Sequence, residues 1–395
     1  MHLVFAVVFL LPLVAFVCPV AIYLLLLSFL APFGLRRGPR AAALTTRFCV
    51  LVPAHDEEAV LGRLLSSIQQ TLYPRDLLHV VVIADNCGDR TAQVAAEKGA
   101  TVLRRYDTTR QGKGWALRWA LGELDERSRD CDAFVLLDAD CDVSRNFFAV
   151  LNDYFCAGST VVQAYYTVLP MSLSRAESLR VASLALVHYL RPAAKMAIGA
   201  SCGLKGTGMG FRRELIEQFG WPSVGLAEDV EFHLDLVERG HRVRFAPAAV
   251  VRGEMPASLR RADSQNERWE AGRLATLRGL ALPLLFRGLR TGDIASFDAG
   301  LEQLVPPLSL PVLIAALCLP AGMLLSLPPV WMLSAALLAI IAVHIASGLM
   351  LAGVPLRTYR SLVAAPAYAA WKSALYVRVL CSGGKRQWVR TVRNP

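Results

Sequence analysis

Residues 133–144 read AFVLLDADCDVS, an apolar run that closes on Asp138, Asp140 and Asp142 with no cation among them. Alternate positions of an extended chain share a face, so a strand carried through this stretch would crowd three carboxylates on one side. The run is the fourth of a series. FCVLVPAH (48–55) precedes EEAVLGRLLSSIQQ (57–70), HVVVIAD (79–85) precedes DRTAQVAAEKGA (89–100), TVLRR (101–105) precedes GKGWALRWALGELDE (112–126), and AFVLLDAD precedes SRNFFAVLNDYF (144–155). Short β-rich runs alternating with helical ones predict an α/β domain built on a parallel, doubly wound sheet with helices on both faces. Such sheets bind ligands beyond the carboxyl ends of their strands. Asp85 follows VVIA, and Asp138 and Asp140 follow FVLL, so a site is expected at that edge.

The second half is less regular. SLRVASLALVHYLRPAAKMAIG (178–199) reads as a helix with a proline break, GLKGTGMGFRRELIEQFGW (203–221) as a glycine-rich loop running into a helix, and RVRFAP (242–247) as a short strand. EDVEFHLDLVERGH (228–241) and ADSQNERWEAGRLATLRGL (262–280) read as helices.

Composition sets this domain in an unusual frame. The chain has 395 residues, 54% hydrophobic and 19% charged, which is too apolar for an ordinary soluble protein. The excess is concentrated: Met1 to Leu35 and Gln303 to Leu356 contain no Asp, Glu, Lys or Arg. The first window suits one tilted transmembrane helix (1–35), and the second, split by SLPPV at 326–330, suits two (303–352). An uncleaved anchor is expected for the first, since its apolar part is long for a signal peptide and Arg36, Arg37 and Arg40 follow it. Those cations place the intervening domain (41–280) in the cytoplasm, and the acid-free tail agrees. The expected organisation adds an interfacial helix region (281–302), and an interfacial helix with a basic cytoplasmic tail (353–395). The whole is then a multi-pass protein of the inner, or plasma, membrane. Much of the net charge of +10 belongs to the membrane surface. No nucleic-acid motif accompanies it, so no nucleic-acid partner is expected. The nine cysteines form no Cys-x-x-Cys pair and read as reduced structural thiols.

Three groups carry chemistry. Carboxylates spaced by one residue, as at Asp138 and Asp140, can turn their oxygens toward one hard cation, with a diphosphate completing the shell; a solvated acidic turn is the plain alternative. Glu228 and Asp229 open a helix, where acids also serve as ordinary dipole partners. As neighbours in a site they repel, which raises one pKa and gives a general base usable near neutral pH. In QNERW (265–269), Gln265, Arg268 and Trp269 fall at i, i+3 and i+4 of a helix. An indole offers a platform for a sugar ring, an amide bonds hydroxyls and a guanidinium neutralises phosphate; Trp269 could equally anchor its helix to a bilayer.

Taken in order, VPAHDEE, Asp85 in IADNC, GKGWAL, DAD, GTGMGFRR, AED and QNERW resemble the motifs of the membrane-bound family-2 glycosyltransferases, which include cellulose, chitin and hyaluronan synthases. The resemblance covers about 47–273. It implies an A-type glycosyltransferase fold, Rossmann-like with a mostly parallel sheet, inserted between transmembrane helices. It also implies a nucleotide-sugar donor, usually a uridine diphosphate sugar, with Mg²⁺ or Mn²⁺ as cofactor and inversion at the anomeric carbon. Carried over by residue, Asp85 would contact the base with His55 and Glu57 lining the same pocket, and Lys113 would lie near the nucleotide. Asp138 and Asp140 would hold ribose and metal, Asp140 being the main metal ligand. Asp229, beside Glu228, would deprotonate the acceptor hydroxyl. Arg268 would face the diphosphate, and Gln265, Trp269 and Gly208 of the glycine-rich loop would meet the acceptor. QWVRTVR near the C-terminus resembles the gating loop of the synthases, with Trp388, Thr391 and Arg393 closing over the donor. Two departures stand out: Asp56-Glu57 replaces the family's Asn-Glu pair, and Asp142 matches no family position and reads as a helix-approach residue.

The expected activity is hexosyl transfer from a nucleotide sugar to a lipid-linked or growing cell-envelope saccharide. A processive β-polysaccharide synthase is the alternative, but three spans are few for a polymer channel and would call for partner membrane subunits. A non-catalytic nucleotide-binding scaffold is a remoter one, since all the chemical groups are intact. A nicotinamide dehydrogenase would need Gly-x-Gly-x-x-Gly after the first strand, where VPAHDEE stands.

Overall fold

The computed structural model describes residues 2–36, 38–125, 128, 130–171, 174–225, 227–255 and 263–382. The strands are β1 (Phe48–Ala54), β2 (Leu78–Asp85), β3 (Thr101–Arg105), β4 (Ala133–Leu136), β5 (Cys141–Val143), β6 (Val161–Val168), β7 (Met209–Arg212) and β8 (Val243–Gly253). They form one sheet in the order β3-β2-β1-β4-β7-β6-β8-β5. β3, β2, β1 and β4 are parallel, as the repeated β-then-helix pattern requires.

The other half departs from the mostly parallel sheet expected. β7 runs antiparallel to both β4 and β6, and β5 runs antiparallel to β8, so the sheet is mixed. β7, at the centre of the sheet, and β5, at its edge, account for the difference. The four residues of β7, Met-Gly-Phe-Arg, lie inside the segment read as a glycine-rich loop. β7 reaches its place between β4 and β6 only after the helical run 175–197, which brings the chain back in the opposite direction. Gly210 makes the fit possible, since a Cβ there would stand 3.0 Å from the Phe155 ring.

Both faces of the sheet are covered. Phe48, Val50 and Val52 pack with the helices Leu61–Gln69 and Phe147–Cys156 on one side; Cys49 and Leu51 pack with Lys113–Glu123 and Arg191–Ala197 on the other. This alternation gives the parallel strands their continuous apolar character. The expected proline break is absent. Arg175–Leu184 continues through a π-helical segment, Ala185–Leu190, into Arg191–Ala197, so the helix widens just before Pro192, which cannot donate to the ladder, instead of ending there.

Two helices, Val4–Leu35 and Pro328–Leu351, are long and apolar enough to cross a membrane. Ser309–Leu324 has 16 residues and passes only together with Ile294–Leu304, from which it is bent by 58°. The stretch 303–352 therefore supplies one full-length helix and one short one. The end of the N-terminal helix enters the core of the α/β domain: Leu27 and Ala31 pack in the same cluster as Leu51 and Leu136. Gly34 lies so close to Ala193 that any Cβ would overlap its carbonyl oxygen.

Candidate active site

β4 ends at Leu136, and the chain turns before the carboxylates are reached, so they never crowd one face. The Asp138 amide donates to Thr207 Oγ1 (3.0 Å), and the Cys141 amide donates to the Asp138 carbonyl (3.2 Å), closing a tight turn over Asp138–Asp140. Asp142 does not approach a helix. It lies in β5 and accepts from Arg252 on β8 (3.1 Å). Lys113, at the start of its helix, donates to Asp138 Oδ1 (2.6 Å) and to the Gly206 carbonyl. A Cβ at Gly206 would lie 3.6 Å from Asp229 Oδ2, so this glycine, whose carbonyl holds Lys113, also lies beside Asp229.

Glu228 and Asp229 open the helix Glu228–Glu238 with both side chains facing a cavity. Burial, and then repulsion from Asp229, pushes the Glu228 carboxyl up to about 7, while Lys113 opposes the shift. Burial also raises Asp229, against the pull of Lys113 and Lys205. Lys113 responds in the opposite sense: burial lowers its pKa, but Asp138, Glu228 and Asp229 outweigh it and the net shift is upward. Gln265, Arg268 and Trp269 face the same cavity from the helix Asp263–Thr276. That helix lies against the start of the Glu228 helix because Gly272 permits it; a Cβ there would come within 2.5 Å of Ala227. Burial lowers the Arg268 pKa, opposed by the fields of Glu228 and Asp138.

The cavity measures about 1030 Å³ and joins two environments. Its lining combines the charged Lys113, Asp138, Asp140, Glu228, Asp229 and Arg268 with Leu308, Val312, Leu313 and Ile345 from the apolar C-terminal helices.

His55, Glu57 and Asp85 form a second group at the ends of β1 and β2 and do not line this cavity. His55 Nδ1–H donates to the Asp85 carbonyl (2.8 Å), and the Glu57 amide donates to Thr91 Oγ1 (2.7 Å). Asp85 Oδ1 accepts from Arg105 Nη1 (2.7 Å) and Asn86 Nδ2 (3.1 Å) in a nearly closed setting. Burial raises the Asp85 carboxyl even so, with Arg105 opposing. Arg105 was not expected at the site. It stands opposite Asp85 in the β2–β3 register, and sequence cannot fix a register between strands. Asp56 adopts a left-handed φ of 51° and accepts the Gly88 amide (2.8 Å), a turn role that explains how the Asn-Glu departure is accommodated.

Gly208 is placed away from the acceptor residues. Its amide donates to the Leu136 carbonyl and its carbonyl accepts from Ala164, inside the sheet, where a Cβ would meet Val251 at 2.8 Å. With a φ of +66° it serves the backbone path between β4 and β6. Trp388, Thr391 and Arg393 lie outside the described residues.

The family model described as glycosyltransferase-like family 2 matches residues 46–272, more than half of the chain. The chain belongs to this family. The matched span of the family-2 chain runs from two residues before β1 through Arg268 and Trp269. "Probable glycosyltransferase YdaM" of Bacillus subtilis (strain 168) is 26% identical over 235 residues, covering 56% of this chain and 54% of its own. A β-monoglucosyldiacylglycerol synthase of Synechocystis (strain ATCC 27184 / PCC 6803 / Kazusa) is 23% identical over 231 residues, covering 57% and 47%. The family-2 chain thus spans about half the length of the curated relatives it matches. Among solved structures, the mannosyltransferase PcManGT from Pyrobaculum calidifontis, in complex with GDP-Man and Mn²⁺, superposes with a TM-score of 0.55 at 20% identity over 93% of this chain and 98% of that one. That likeness extends the shared fold beyond the α/β domain to nearly the whole family-2 chain.

Proposed function

We propose that the protein is an inverting glycosyltransferase that moves a hexose from a nucleotide sugar, a uridine diphosphate sugar by the family resemblance, to an acceptor hydroxyl presented at a membrane. The observation that carries this reading is the single cavity lined by both the carboxylate edge and apolar helices. A soluble acceptor would have no use for the apolar lining. A lipid or lipid-linked saccharide uses both.

Asp138 and Asp140 offer hard oxygen donors at the donor edge and fit Mg²⁺ or Mn²⁺, the ion type named with PcManGT. Such a cation supplies charge neutralisation for a departing diphosphate. Lys113 and Arg268 flank the same position and bind the diphosphate from either side. Asp85, with His55 and Glu57 nearby, orients the base. Asp229 takes the proton of the acceptor hydroxyl, whose oxygen attacks the anomeric carbon as the nucleoside diphosphate leaves. Glu228 keeps the local field negative and raises the basicity of the pair. Trp269, 41% exposed, presents its ring to the acceptor.

In this reading Val4–Leu35, the bent pair Ile294–Leu324 and Pro328–Leu351 cross the inner membrane, and the basic flanks hold the α/β domain on the cytoplasmic side. The test is transfer of label from a panel of nucleotide sugars to lipid extracts by membranes containing the protein, with and without Mn²⁺ or Mg²⁺. Transfer should require the cation and stop at a single addition. Asp140→Asn should reduce it by about 10²–10³-fold, with part of the loss recovered at high Mn²⁺. Long product ladders would replace the single-addition reading with a processive one. Cation-independent transfer would remove the metal assignment.

A further inference from the structure

The cavity also carries positive charge that the proposed transfer reaction does not use. Arg191 is 7% exposed and lines the cavity, and among the described residues it makes no hydrogen bond or ion pair; its Nε is buried without an acceptor. Glu302 shares that side of the cavity and its charge is felt by both Arg191 and Lys205, but its carboxylate, like that of Asp298 (3.0 Å), is held directly by the fully buried Lys195. Lys205 approaches from the loop before β7. Its ammonium lies 3.3 Å from the Cβ position of Gly203, and it too makes no side-chain hydrogen bond or ion pair among the described residues. The two cations face a common neighbour. His188 lines the cavity between them and donates Nδ1–H to the Tyr166 carbonyl (3.1 Å). Burial, and then the fields of Lys205 and Arg191, pushes its imidazole down to about 3, so it adds no charge of its own. An unpaired buried guanidinium is costly unless an anion completes it.

The donor diphosphate is a poor candidate for that anion. It is served by Lys113 and Arg268 beside Asp138, whereas Lys205 faces Asp229, the residue assigned to the acceptor hydroxyl. Arg180, a second buried arginine with an unpartnered Nη2, stands eleven residues before Arg191 on the same helical run, about 16 Å away at 1.5 Å per residue. One phosphate cannot meet both. The apolar residues Leu308, Val312, Leu313 and Ile345 line the same cavity.

We infer that the acceptor is an anionic lipid whose phosphate seats between Arg191 and Lys205 while its chains follow the apolar lining. This deepens the proposed glycosyl transfer and rests on it for the word acceptor; the phosphate-lipid site itself stands on the unpaired cations. The phosphate could belong to a polyprenyl monophosphate or to a glycerophospholipid headgroup.

The experiment is lipid titration of the purified full chain in neutral maltoside micelles, read by native mass spectrometry, with a polyprenyl monophosphate, phosphatidylglycerol and diacylglycerol as probes. Binding of UDP with Mn²⁺ is measured separately on the same samples. At least one phosphate-bearing lipid should bind about tenfold or more tightly than diacylglycerol, and which one does so identifies the source. Arg191→Gln and Lys205→Gln should each lose about that factor for the phosphate-bearing lipid alone, and Arg191→Lys, which keeps the charge, should retain most of it. Nucleotide binding should hold in all three variants. Equal binding of diacylglycerol, or variants that bind phosphate-bearing lipid like the parent, would overturn the inference. Failure of the parent to bind UDP with Mn²⁺ would count against glycosyl transfer and leave the lipid result standing.

Discussion

The two halves of the sheet handle charge differently. In the parallel half, Asp85 meets Arg105 and Asp138 meets Lys113, each within 2.7 Å. In the mixed half, Glu228 and Asp229 stand side by side at a half-buried helix start, and desolvation has raised both. Carboxylates held by a cation at contact distance are fixed in position and can anchor a ligand. A strained pair with one member near neutrality can accept a proton and release it. On the function proposed above, the difference separates a half that binds from a half that turns over.

Asp229→Asn is the most severe way to test that division. Transfer should fall by up to about 10⁴-fold while the dissociation constant for the nucleotide, measured by calorimetry, stays within a few-fold of the parent value. Retained turnover would move the base elsewhere and dissolve the contrast. Arg105→Ala attacks the binding half. It leaves Asp85 buried without its guanidinium, which should cost about 3–5 kcal/mol in thermal unfolding and raise the donor KM, with kcat at saturating donor little changed. A large drop in kcat would show that the base pocket reaches into the chemistry.

The smallest effect is the most diagnostic of the turnover half. Glu228 is pushed up to about 7 and Asp229 beside it is raised as well, so the transfer rate should fall about tenfold per pH unit below about 7, as Glu228 takes up a proton, and level off above it. Removing the neighbouring charge with Glu228→Gln should move this acid limb to lower pH. Stability carries the opposite sign. The folded protein holds the Glu228 proton more tightly than the unfolded chain does, so the stabilisation from this group is complete below about 4.5 and is lost as pH rises through about 7. Glu228→Gln should therefore melt later than the parent at pH 8 and alongside it near pH 4, as scanning calorimetry would read. Coincident curves at both pH values would mean that the pair is not perturbed.

The same division governs what could be read before the fold was known. The parallel half was legible because strand, helix and edge carboxylate recur at short range, so β1 to β4 and the acids at their ends follow from local pattern. The mixed half depends on partners distant in the chain. β7 has four residues and shows no pattern of its own; it becomes a strand because β4 and β6 flank it. Gly208 illustrates the cost: read with the glycine-rich loop it belonged to the acceptor, yet its positive φ serves the sheet. Gln265, Arg268 and Trp269 were recoverable because helical spacing puts them on one face, and that face lines the cavity. Arg105, Arg191 and Lys205 gave no such sign. Each owes its place to a register or to a burial that only the packed chain defines.

The close seating of Gly34 on Ala193 has a mechanical consequence. A catalytic unit carried on a flexible stalk can tilt and search for acceptors over a range of depths. Here the stalk ends inside the unit it carries, with Leu27 and Ala31 sharing a core with β1 and β4. Detaching residues 1–35 would therefore expose that core. On the membrane reading proposed above, the carboxylate edge rides at one fixed height above the bilayer, and an acceptor is selected partly by how far its reactive hydroxyl stands from the leaflet.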